Sequence, residues 1–189
     1  PISGDDLFLN VSAISDTFIT ARKLPTPSGV SAGGAGRFDF FGDGEQFFVN
    51  QNFIFNFELF QGYTAFRPID WLIRVTPVIN LNHLELQENN AAFIDTRRGD
   101  VRDDSFVTLQ ETFLELHLGD TSPKFDIAAI RVGRQQFNSD FRGFIFNDNS
   151  DGVRLLGNFE SNRIQYNLAL FNQTEKDTNS QLNELDWRD

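Results

Sequence analysis

The chain has 189 residues, a formal net charge of −11, a pI near 4.5, and neither Cys nor Met. Its scattered Lys and Arg exclude nucleic acid as a partner, because a phosphate backbone is bound by clustered basic groups; the absence of Cys excludes disulfide staples and thiolate metal sites. Mean hydropathy is −0.33 although 22 residues are Phe, and no run of about 18 apolar residues offers a spanning helix.

Residues 1–46 are the least periodic part, with a strand expected from Leu7 to Thr20, followed by Pro25, Pro27 and the Gly-rich stretch Ser28–Gly36. Gly33–Gly36 lacks the Lys-Ser/Thr that follows a phosphate cradle and reads as a loop. Residues 47–189 read as antiparallel β-hairpins. Alternation of period two predicts strands over about 47–61, 69–86, 105–118, 126–136, 152–160 and 163–173. The start at Pro1, with no apolar leader-like segment, reads as a processed product or a piece of a longer protein.

On the first of these strands Phe53, Phe55, Phe57 and Leu59 oppose Asn52, Asn56 and Glu58. On the second Trp71, Ile73, Val75, Ile79 and Leu81 oppose Arg74, Thr76, Asn80 and Asn82, and on the last Ile164, Tyr166, Leu168 and Leu170 oppose Gln165, Asn167 and Gln173. Pro77 lacks a ladder donor and predicts interrupted pairing. A phase change between Leu109 and Leu114 predicts a bulge near Glu111.

The connections alternate between short and long. Gly62–Pro68, Gly119–Phe125 and Ser161–Asn162 are tight turns, whereas Gln87–Asp104, Phe137–Asp151 and Thr174 onward are long and polar. About ten residues of strand, tilted near 45°, cross an apolar band of about 25 Å. Together these features predict an all-β fold: a partial antiparallel transmembrane β-barrel of at least six strands, in the bacterial outer membrane. Phe53, Phe55, Phe57, Leu59, Trp71, Ile73, Val75, Ile164, Tyr166 and Leu168 would face lipid, with Phe60, Tyr63, Phe66, Trp71 and Phe125 near the interfaces. Arg74, Arg131, Arg154, Glu58, Glu111 and Glu115 would line the pore, with His117 on the same side. Their alternative role is to pair and fill a closed interior.

No catalytic group and no cofactor is expected. Glu111 and Glu115 share a strand face but lie about 13 Å apart, without a nucleophile beside them. His83 and His117 have no zinc-ligand spacing. Asn147–Gly152 matches the first half of an EF-hand loop, but Asn158 stands where its Glu should be; Asp148 and Asp151, assisted by Asp140, remain weak calcium candidates. Asp95–Asp100 is a solvated loop.

The segment Ile130-Arg131-Val132-Gly133-Arg134-Gln135-Gln136, a polar loop with Asp140 and Arg142, and then Asp151-Gly152-Val153-Arg154-Leu155 span about 26 residues. This passage resembles bacterial outer-membrane porins of the alginate-export family, in which a strand ending Gly-Arg-Gln leads into a long outer loop. The resemblance implies an early portion of a larger barrel that passes solutes, anionic sugars among them, with Arg131 and Arg154 towards the lumen and Arg134 near the outer rim. The family's lumen is markedly basic, whereas this chain would place Glu58, Glu111 and Glu115 inside. Expected partners are outer-membrane lipid and polar or anionic small solutes, with an envelope protein or an oligomer in addition. Two other classes stay open: a barrel sheath around a partner protein, and a soluble β-sandwich carbohydrate-binding module.

Overall fold

The computed structural model describes residues 1–26, 43–63, 68–88, 90–124 and 126–183. Seven strands follow one another in chain order: β1 (Leu7–Lys23), β2 (Glu45–Gln61), β3 (Trp71–Leu86), β4 (Val101–Ser122), β5 (Asp126–Asn138), β6 (Asn147–Phe159) and β7 (Ile164–Asn172). Each pairs antiparallel with the next, giving a single meander sheet. A one-turn 3₁₀ helix, Thr96–Arg98, is capped by Asp95. The sheet is open. β1 and β7 form its edges, so it does not close into a barrel.

Pairing breaks where the sequence predicts. The β3–β4 register shifts between Thr76 and Pro77, with Thr76 opposite Glu111 and Pro77 opposite Leu109. Gln110 is thus the extra residue, and the bulge returns both apolar stretches of β4 to one face. β6 begins at Asn147, not near Gly152, and β4 runs four residues beyond the expected Leu118. The predicted Gly33–Gly36 loop, Phe66 and Phe125 lie outside the described residues.

At the tight-turn end, the Asp126 carboxylate accepts from Ser122 Oγ (2.7 Å) and from the amides of Ser161 (2.9 Å) and Asn162 (2.8 Å). It ties the β4–β5 turn to the β6–β7 turn. Glu160, Ser161 and Asn162 all take positive φ there, a conformation non-glycine residues adopt at a cost, which these bonds offset.

The sheet buries polar side chains on one face and exposes apolar ones on the other. Asn80, Thr108, Gln135 and Ser150 are 0% exposed, while Ile73, Leu114, Val132 and Val153 are 38–46% exposed. One face of a single-layer sheet becomes buried only when it is concave or covered, so the polar side is the inner one. The few buried apolar strand residues, Leu72, Val78, Leu86, Phe113 and Ala129, share that inner face.

Candidate functional site

All six charged candidates stand on the inner face, in adjacent cross-strand rows. Glu58 pairs with Arg74, and Arg74 with Phe113, in one row; Leu72, Glu115, Arg131 and Arg154 make the next. Arg74 donates to Glu58 (3.1 Å) and Glu111 (3.4 Å). Arg131 donates to Glu115 (2.7 Å). Phe113 lies between two guanidinium groups, 5.4 Å from Arg74 and 4.4 Å from Arg131. These carboxylates and their arginines are half-buried, so each pair keeps only part of its Coulomb energy against water. Arg154 differs: it donates to the neutral amide of Asn167 (2.7 Å), and its guanidinium sits 5.2 Å from the ring of Phe137.

Towards the long-loop end, the inner face becomes an amide ladder. Asn80 donates to Asn50 and Asn52 (2.6 Å each), and Asn82 donates to Asn80 (2.7 Å). Residues 173–183 fold back over this end of the face. Asp177, 2% exposed, accepts from Arg102 (3.4 Å) and from the amides of Asn179 and Ser180. Asn183, 0% exposed, meets Thr108, Gln110 and Asn149. Thr174 onward, expected to be a long loop, takes this role unannounced in the sequence, because a cluster of Asp, Asn and Ser gives no clue to what it will cover.

The ten residues expected to face lipid all fall on the opposite, outer face. Register carries one apolar row through every strand: Leu9, Leu59, Ile73, Leu114, Val132, Val153 and Leu170. The row holds no charged residue. Ser15, Thr17 and Gln51 interrupt the apolar surface near the β1 edge, and they bond to one another, with Gln51 donating to Ser15 at 3.0 Å.

The outer apolar surface is slanted. Its long-loop edge is Phe47 on β2, Leu81 on β3 and Val107 on β4, and falls to the Val132, Val153 and Leu170 row on β5–β7. Beyond that edge stand His83 bonded to Asp103 and Arg134 bonded to Asp151. The opposite edge shifts the same way, from Leu59 on β2 to Phe159 and Ile164 on β6 and β7. The midpoint moves about 30 Å along the strands while crossing about 24 Å of sheet, a slant of roughly 50°.

The two calcium candidates lie apart. Asn147–Gly152 is strand and not loop; Asp148 and Asp151 point to opposite faces, where Lys176 and Arg134 neutralise them. No cluster of three His, Asp or Glu suited to a metal occurs among the described residues. Arg134, expected near the rim, is on the outer face and its fork meets both oxygens of Asp151 (3.1 and 2.8 Å). Comparison with protein-family models, with curated proteins and with solved structures found no match.

Proposed function

We propose that the seven strands are part of the wall of an outer-membrane, porin-like barrel that passes small polar or anionic solutes by diffusion, with the Phe-rich face in lipid and no chemical step. The slanted apolar surface carries this reading. Strands in a transmembrane barrel tilt by about 35–45°, so a band that is level in the bilayer must run obliquely across the strands, which the core of a soluble sheet has no reason to do. A sandwich would also cover the apolar face with a second sheet, and none lies there among the described residues.

Hydrocarbon tolerates no unpaired strand edge, so β1 and β7 require partners. These two strands run in the same direction, and an antiparallel closure therefore takes an odd number of further strands. Inside, Arg74 and Arg131 are ion-paired with Glu58, Glu111 and Glu115, which leaves Arg154 as the charge best placed to select solutes. The seating of residues 173–183 on the inner face favours a second reading, a sheath whose interior holds polypeptide.

Planar-bilayer recording of the detergent-purified protein tests the proposal. Stepwise conductance is expected, with a salt-gradient reversal potential that moves towards cation preference in the Arg131→Ala, Arg154→Ala double variant. Insertion without conductance would contradict the open pore and leave the sheath.

A further inference from the structure

The arginines of β5 and β6 present an arrangement the barrel wall does not need. Arg131 and Arg154 lie directly opposite each other on the same face, and like charges so placed destabilise a sheet. Arg131 is neutralised by Glu115. Arg154 has no carboxylate partner among the described residues, only the Asn167 amide and the ring of Phe137. In a chain of net charge −11, a half-buried guanidinium that makes no ion pair among the described residues, with Glu115 acting on it only at longer range, stands out.

Beside it stands an aromatic corner. Phe137 lies 5.1 Å from Phe171 and 6.2 Å from Phe146, and the nearly parallel rings of Phe146 and Phe171 are 6.4 Å apart. Gly133 and Gly152 pair with each other in the same-face row next to Arg131 and Arg154, and Gln135 with Ser150 in the row beyond, so the first row between the cation and Phe137 carries no Cβ. Phe171 occupies the space above Gly152, with a ring carbon 2.4 Å from where a Cβ would be.

We propose that Arg154, flanked by Arg131 and by the rings of Phe137, Phe146 and Phe171, forms a subsite for aromatic carboxylates. The ligand carboxylate takes the fork of Arg154 bidentately and relieves the like-charge pair, while its ring packs edge or offset on the phenyl groups. The subsite names a solute class for the passage proposed above and rests on that reading for its role. A saccharide acid would need several accessible hydroxyl partners, whereas among the described residues Arg154 bonds to the Asn167 amide and the neighbouring Gln135 and Ser150 are fully buried.

Isothermal titration of the detergent-solubilised protein with benzoate tests this without recourse to conductance. Benzoate is expected to bind, benzamide and acetate at least tenfold more weakly; Arg154→Gln should weaken benzoate at least tenfold, and Phe137→Leu severalfold. Should Arg154→Gln fail to fold, Phe137→Leu and Arg154→Lys carry the test, the latter keeping the charge but losing the fork. Absence of benzoate binding, full affinity in the folded variants, or glucuronate binding as tightly as benzoate would overturn the subsite. A silent protein that binds benzoate would count against the channel alone, and a conducting one that does not would count against the subsite alone.

Discussion

Three strand glycines lie directly opposite aromatic rings: Gly133 faces Phe113, Gly152 faces Phe171 and Gly157 faces Tyr166. At Gly152 and Gly157 the ring lies over bare backbone that would otherwise weaken the ladder. Gly133 is the most constrained, with φ of +122° and a would-be Cβ 2.2 Å from the Thr112 carbonyl oxygen. Gly133→Ala should cost about 2–4 kcal/mol, the sum of a backbone strain and an overpacking penalty. Urea unfolding from lipid vesicles would measure it, and an unchanged midpoint would contradict the close approach. None of this is legible in sequence, where a glycine inside a strand pattern signals only a bulge or a close contact. The charged residues were legible, because Glu58, Arg74, Arg131 and Arg154 each alternate with apolar neighbours and parity alone assigns their face.

At the scale of the element, the connection between β5 and β6 is a built loop. The Asp140 carboxylate accepts from the amides of Ile145 (2.9 Å), Phe144 (3.0 Å) and Arg142 (3.3 Å), and the Ile145 amide foremost holds its pKa below the usual carboxylate range. Because the folded pKa is lowered, the ordering it provides is fully present above the ordinary carboxyl value of about 4 and is lost as pH falls through the lowered one. Hydrogen-exchange protection factors at Phe144 and Ile145 should therefore hold at neutral pH and fall on acidification. Asp140→Ala should abolish both the protection and its pH dependence; retained protection would contradict the role. The start of β6 shows why element bounds escape sequence reading. Asn147-Asp148-Asn149-Ser150 has turn composition, yet it pairs residue for residue with β5, Asn147 accepts from Gln136 and Asp148 meets Lys176, so tertiary context overrides propensity. Pro77 and the phase change in β4 were legible because each violates period two at one identifiable point.

For the whole molecule, parity assigns faces to strands one at a time, but the slant of the apolar surface exists only once register joins them. That is why the sequence predicts outward-facing residues but not strand tilt. The row Leu59, Ile73, Leu114, Val132, Val153, Leu170 is level in the sheet. In the barrel wall proposed above, with strands tilted near 45°, it would climb about 17 Å through the bilayer between its ends. The chain has no Cys, so a single introduced Cys at each of these positions, and at inner Asn80 as a control, carries one nitroxide. Collision rates with oxygen and with a water-soluble nickel chelate then give depth in reconstituted vesicles. The row labels should meet oxygen far more than the chelate, with Leu59 and Leu170 near opposite interfaces and Leu114 and Val132 deepest, while Asn80 shows no hydrocarbon exposure. Row labels shielded from both reagents, or all at one depth, would contradict a lipid-facing, tilted sheet.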